Sequence, residues 1–374
     1  MTRVVIAPDK FKGSLTAVEA AEAIALGVRD ALPDADIVTC PVADGGEGTL
    51  DVLEAAGARI VRLTVRGPLE EAVRASYAVL DGTAYVESAR ACGIEFVEPS
   101  PETALAAHTW GVGELLMDAL MHGAARLVLT VGGTASTDGG AGMLGALGAG
   151  VLDAFGAPVG LGGGTLSRVA STELTPVRER LNGVSVAVAT DVTNPLLGPD
   201  GAAAVFGPQK GAGPEEVAAL DAALGRWAHA LQVGGAPDVS RVPGAGAGGG
   251  VAAGAIAGLG ATVESGFDLI AGLTGVDAAL EGADLVITGE GSLDEQSLNG
   301  KAPAGIAARA RPRGVPLMAL AGRIQLGEAE LASLGVIASS ALIDHAESLD
   351  HARANAAELL RVRAAILVSG WRSR

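Results

Sequence analysis

The chain has 374 residues, of which 49% are hydrophobic and 18% charged, with 26 basic against 43 acidic side chains for a net charge of −17. That length exceeds one ordinary core and predicts about two domains, and the apolar content excludes intrinsic disorder. The negative charge repels phosphate backbones and argues against a general nucleic-acid binder, though not against a nucleotide held by a few local cations.

Only 3% of the residues are aromatic while 55 are glycine, so the cores must be built from Ala, Val, Leu and Ile, with many tight turns. Cys40 and Cys92 are the only cysteines. Two thiols make neither a disulfide framework nor a Cys-rich zinc site, and a reducing cytoplasm is expected. The first apolar run, residues 4–7, is too short for a secretion signal. Residues 242–263 carry no charge but are mostly Gly and Ala, so they predict a Gly-rich loop leading into a buried helix rather than a membrane span.

In chain order, residues 4–7 read as a buried strand. Thr16 and Glu19 form a capping-box pattern that opens a helix ending before Pro33. Residues 37–40 predict a second strand, followed by a loop over 43–48 and a helix from about Thr49. This rhythm predicts a parallel sheet covered by helices. It breaks at residues 59–65 and 72–80, where apolar and polar residues alternate, and Asp81-Gly82 signals a hairpin before a strand at 83–87. An antiparallel patch here suggests a second domain inserted near residue 62. Strand-like runs resume at 127–131, 184–189, 285–288 and 317–321, and an amphipathic helix closes the chain from His351.

Five loops following predicted strands combine Gly with Asp, Glu, Thr or Lys: residues 8–14, 44–49, 132–140, 190–195 and 289–294. In an open α/β sheet such loops gather at the carboxyl ends of the strands, where ligands bind. Any one loop is explained by turn and capping chemistry, but five in one chain point to a shared site. The four lysines, Lys10, Lys12, Lys210 and Lys301, all lie in or beside these or similar Gly-rich segments. Phosphoryl transfer needs such parts: backbone N–H groups for anionic oxygens, lysines for charge, and carboxylates for Mg²⁺ and for the proton of the attacking hydroxyl.

Other chemistries fit less well. There is no P-loop motif and no Gly-x-Ser-x-Gly elbow, and the five histidines show no metal-ligand spacing. The run Gly244-Ala245-Gly246-Ala247-Gly248-Gly249 matches a dinucleotide fingerprint, with Glu264 near the ribose-binding distance. No convincing strand precedes it, so an NAD-linked dehydrogenase is the weaker alternative.

The segments 7–15, 41–49, 131–143, 191–195, 205–212 and 288–303 together resemble the bacterial type I glycerate kinase family, in family order over nearly the whole chain. The resemblance implies an α/β fold, with a flavodoxin-like parallel-sheet domain (1–62 and 280–374) and a second, mixed-sheet α/β domain inserted at 63–279. It also implies an active site in the cleft between them. The chain departs from the family pattern at Thr137, where Asn is common, and at Ser292, where Arg is common; Arg323 is the candidate to supply that guanidinium.

The implied reaction is ATP-dependent phosphorylation of D-glycerate, with Mg²⁺. The resemblance favours 2-phosphoglycerate over 3-phosphoglycerate, and a related short hydroxy acid is the nearest alternative substrate. Asp191, Lys12 and Glu290 are the expected catalytic residues. Asp9, Asp44, Glu47 and Lys210 are expected to bind substrate. Gly132, Gly133, Thr134, Ser136, Gly289, Gly291 and Lys301 are expected to cradle phosphates, and Asp191, Glu290 and Asp138 to hold Mg²⁺. The partner is a small molecule, not a nucleic acid or a membrane, and a homodimer is the one assembly considered.

Overall fold

A computed structural model describes residues 1–298 and 302–372. Lys301, expected at the phosphates, lies outside the described residues. The strands, in chain order, begin with β1 (Arg3–Pro8), β2 (Asp36–Thr39), β3 (Arg59–Arg66), β4 (Ala72–Leu80), β5 (Thr83–Glu87) and β6 (Arg126–Thr130). They continue with β7 (Gly150–Asp153), β8 (Val169–Glu173), β9 (Ser185–Ala189), β10 (Thr262–Glu264), β11 (Leu285–Leu293), β12 (Leu317–Ile324) and β13 (Val336–Ala341).

The chain divides into two compact units, one of Met1–Asp44, Asp51–Ala56 and Gly266–Arg374, the other of Gly45–Leu50 and Gly57–Ser265. These bounds differ from the expected 62/63 and 279/280 for physical reasons. β3 pairs with β4 along its whole length, Arg59 opposite Val79 through Arg66 opposite Ala72, so it cannot be cut at residue 62. Helices Gly266–Leu273 and Val276–Leu280 bury Phe267, Ala271, Val276 and Leu280 in one core with Val5 and Val286, which ties them to the first unit.

The first unit is a five-stranded parallel sheet ordered β13-β12-β11-β1-β2. Its central strands are apolar on both faces because helices cover both. Val4 and Ile6 of β1 face one cluster, with Ile24, Leu320 and Leu360, while Val5 and Ala7 face the other. Helix Ala17–Ala31 starts as the capping box predicts: Glu19 N–H donates to Thr16 Oγ1 at 3.2 Å, and Thr16 N–H donates to Glu19 Oε2 at 2.8 Å. Chain connectivity reverses direction between β1 and β11, which makes the loops after these two strands diverge at the switch point.

The second unit holds a six-stranded mixed sheet, β10-β9-β6-β5-β4-β3, in which β3, β4 and β5 are antiparallel and the rest parallel. The predicted hairpin forms at Asp81 and Gly82, both with positive φ. A small β7-β8 ribbon was not legible in the sequence. No described helix is long and apolar enough to cross a membrane.

The uncharged segment resolves into tight turns leading to helix Ala247–Leu259, almost wholly buried. Gly248, Gly249 and Gly250 are left-handed, and a Cβ on Gly249 would lie 2.1 Å from Ser136 O. The glycines are there to admit the neighbouring loop, not a pyrophosphate. Glu264 is taken by Arg126, whose Nη2 donates to both carboxylate oxygens at 2.7 and 2.8 Å. The dehydrogenase alternative is not favoured.

Candidate active site

At the switch point of the first unit lies a cavity of about 370 Å³, lined from the ends of β1, β11 and β12. The Pro8 carbonyl side of β1 is fixed by Asp9 N–H donating to Gly289 O at 2.8 Å. A tight loop follows, in which Phe11 is buried and pairs with Leu15, leaving Lys12 exposed at the tip. Asp9 and Glu290 are buried at 6% and 8% exposure, and with the half-buried Asp44 they give the cavity an acidic floor.

Burial pushes the Asp9 carboxyl up to about 7; Lys10 pulls it down, and Asp44 and Glu290 push it further up. Glu290 is oriented by Ser297, whose hydroxyl donates to Glu290 Oε1 and accepts from Asp294 N–H at 3.1 Å. Ser297 was missed in the sequence; its only signal is the Asp-x-x-Ser spacing of a turn. Gly291 lines the cavity, and a Cβ there would meet Lys12 N at 3.1 Å. Gly289 lets β12 approach, since a Cβ would lie 2.1 Å from Leu320 O, so close packing by itself requires glycine there. Ser292 is the register partner of Arg323 across β11 and β12, and both line the cavity.

In the second unit, the loop after β6 packs against the 45–50 segment so closely that a Cβ on Gly132 would lie 2.9 Å from Gly46 Cα. Glu87, 1% exposed at the end of β5, fastens that segment by accepting from the N–H groups of Gly48 and Leu50, each at 3.2 Å. The signal for Glu87 in the sequence is an acid closing a buried strand. Glu47 is exposed and makes no hydrogen bond to a described residue.

Two of the expected residues stand in closed surroundings. Asp138 is fully buried, and its carboxylate accepts from Thr109 N–H (2.9 Å), Thr109 Oγ1 (2.8 Å), Gly140 N–H (3.1 Å) and Gly142 N–H (3.1 Å). Four internal donors saturate it, so it builds the loop and is not open to a metal. Lys210, expected at the substrate, is 3% exposed and donates to the Ser136 carbonyl within the second unit. Burial pulls its ammonium down to about 8, with Cys92 and Asp138 pushing back up.

Around the same loop, the hydroxyls of Thr134, Ser136 and Thr137 are buried with no hydrogen-bond partner, as are those of Ser88 and Thr130 at the ends of β5 and β6. Buried polar groups left without partners are rare and suit a ligand that brings acceptors. Asp191, half-buried just past β9, accepts from Ser265 Oγ at 2.7 Å. Among the described residues, no three His, Cys, Asp or Glu side chains stand close enough to hold a metal ion by themselves.

Of the expected residues, Asp9, Lys12, Asp44, Glu290 and Gly291 thus meet in one cavity, while Glu47, Gly132, Gly133, Thr134, Ser136, Asp138, Asp191 and Lys210 belong to the second unit.

A doubly wound parallel sheet with a charged cavity at its switch point in one unit, and a glycine-rich loop of spare hydroxyls in the other, define an α/β enzyme that handles small anionic ligands. A profile described as the Glycerate kinase family matches residues 4–372. A Halalkalibacterium halodurans glycerate kinase is 40% identical over 99% of both chains. An Escherichia coli glycerate 2-kinase is 43% identical over 86% of this chain and 85% of its own. A solved crystal structure from Salmonella typhimurium LT2, assigned as a glycerate kinase 2, superposes with a TM-score of 0.84 at 40% identity, covering 100% of this chain and 98% of its own. The chain belongs to the glycerate kinase family. It is a kinase, a phosphotransferase with an alcohol acceptor, and ATP is its co-substrate.

Proposed function

We propose that this enzyme transfers the γ-phosphoryl group of ATP to the 2-hydroxyl of D-glycerate, giving 2-phosphoglycerate and ADP. The observation that carries this reading is the cavity with Asp9, Asp44 and Glu290 at its floor and Lys12 at its mouth. A diol acid presents hydroxyl donors to carboxylates and a carboxylate to cations, and this arrangement answers both. The naming of the Escherichia coli relative as a glycerate 2-kinase favours the 2-hydroxyl.

In the mechanism, the acceptor oxygen attacks the γ-phosphorus, the bond to the β,γ-bridging oxygen breaks, and ADP leaves with that electron pair. Asp9, whose carboxyl stands near neutrality, takes the hydroxyl proton, with Glu290 and Asp44 orienting the diol. Lys12 balances negative charge on the acceptor. The spare hydroxyls of Thr134, Ser136 and Thr137 donate to phosphate oxygens. Hard oxygen donors at a strand end suit Mg²⁺, which commonly takes one or two carboxylates besides phosphates and water, and Asp191 is our choice to hold it. There it would neutralise charge on the phosphates. We assign the reaction to the cytoplasm, and the net charge of −17 favours small-molecule over nucleic-acid partners.

The test follows ADP release from Mg-ATP with D-glycerate, L-glycerate or no acceptor, and identifies the product by phosphorus NMR. D-glycerate-dependent ADP with 2-phosphoglycerate is expected. ADP with neither acceptor from a folded protein overturns the reading, and 3-phosphoglycerate overturns the regiochemistry.

A further inference from the structure

The cavity floor is acidic, but its mouth is not. Lys12, Arg323 and Arg353 all line it, all are exposed, and none makes a hydrogen bond or ion pair to a described residue. They come from three separate places: the loop after β1, the end of β12, and the short helix Leu349–Ala354. Arg353 leans onto the first of these, its Nε 3.9 Å from where a Cβ on Gly13 would stand. Elsewhere in the same unit guanidinium groups find partners: Arg309 reaches Asp268 at 2.7 Å, Arg313 reaches Glu281 at 2.8 Å and Arg361 reaches Asp30 at 2.7 Å, while Arg363 donates to Ser340 Oγ at 2.8 Å and Arg311 to the Ser333 carbonyl. In a chain with a charge of −17, three cations gathered at one mouth without an acid partner among the described residues make a site for an external anion.

We infer that Lys12, Arg323 and Arg353 form a carboxylate-recognising rim, and that Arg353 is the specificity-determining residue selecting a hydroxy acid over an uncharged polyol. The floor decides between the two anions available to a kinase. Asp9, Asp44 and Glu290 repel a polyphosphate but accept hydroxyl donors, so the anion at the rim is the carboxylate of the molecule whose hydroxyls lie below. A planar guanidinium pairs with a carboxylate through two parallel hydrogen bonds, which an ammonium cannot do. On the side of Arg353 the wall is apolar, formed by Leu342, Leu349, Ala352 and Ala356, and offers no partner to a third hydroxyl in the carboxylate's place. This inference rests on the glycerate kinase reading above.

The experiment measures kcat and KM for D-glycerate and for ATP in wild type, Arg353→Ala and Arg353→Lys, with glycerol as the uncharged acceptor. Arg353 is exposed and unbonded, so the variants should fold, and unchanged melting temperatures will verify this. For Arg353→Ala the KM for D-glycerate should rise about 10- to 100-fold, as expected for losing a charge-assisted pair, with the KM for ATP unchanged. Arg353→Lys should recover part of the loss, and the preference for D-glycerate over glycerol should fall by a similar factor in Arg353→Ala. An unchanged KM for D-glycerate, or a rise confined to the KM for ATP, removes Arg353 from the acceptor while leaving the functional reading in place. Absence of D-glycerate-dependent ADP in wild type defeats the functional reading and this assignment together.

Discussion

Asp9 in the first unit and Asp138 in the second are both buried acids after buried strands, and they have opposite uses. Asp138 accepts four hydrogen bonds from its own unit. Asp9 accepts one, from Lys10 N–H at 2.6 Å, and its carboxyl is pushed up to about 7 by burial. The cations differ in exposure: Lys210 is buried against the Ser136 carbonyl, whereas Lys12, Arg323 and Arg353 stand open at a cavity mouth. A polar group with its capacity filled internally builds structure, and one with capacity left over waits for a ligand. Burial alone does not separate them.

The contrast can be broken most sharply by Gly249→Ala. Its Cβ would lie 2.1 Å from Ser136 O and 2.8 Å from Lys210 Nζ at a φ of +70°, so the second unit should lose about 3 kcal/mol or more, read by denaturant unfolding. Next comes a paired test on carboxylates. Glu290→Gln should lower kcat about 100-fold or more while leaving the unfolding midpoint nearly unchanged. Asp138→Asn should instead destabilise by about 2 kcal/mol, because an amide cannot accept at both ends of the group. If Asp138→Asn kept its stability and lost its turnover, the contrast drawn above would fail.

Asp9→Asn sharpens the same point through pH. In wild type, kcat/KM should rise with pH through about 7 as the carboxyl ionises, and the Asn variant should lose most of its activity and that rise. Stability must move the other way. A carboxyl whose folded pKa lies above its unfolded value favours the fold below the unfolded pKa, and that advantage is lost as pH rises through the folded one. The Asn variant should therefore melt higher than wild type above pH 7, by several degrees, with the gap closing as pH falls toward about 4. The smallest effect is expected at Glu47→Gln: the side chain is exposed and unbonded, so stability should shift by less than about 0.5 kcal/mol.

Much of the fold was legible because period and punctuation are local. The residues 4–7 run, the Thr16–Glu19 capping box, the alternation at 72–80 and the Asp81-Gly82 turn each specify their own conformation within a few residues, and each forms. Strands β7, β8, β10 and β13 are only partly buried and carry no strong alternation of their own, so their pairing depends on neighbours distant in the chain.

The candidate site divides along the same line. Sequence by itself determined the family, through motifs in order, and the gathering of acids and glycines after strands, because a loop that follows a parallel strand must emerge at one end of the sheet. Only tertiary structure decided which of those residues are still open to a ligand. Ser297 behind Glu290 and Glu87 behind the 45–50 segment leave only a turn spacing and a strand-end acid as local signals, and Arg353 at the cavity mouth leaves none, since what each side chain meets is decided by folding. Hydrogen-bond capacity is filled by whatever the fold brings near, and that cannot be counted until the chain has closed on itself.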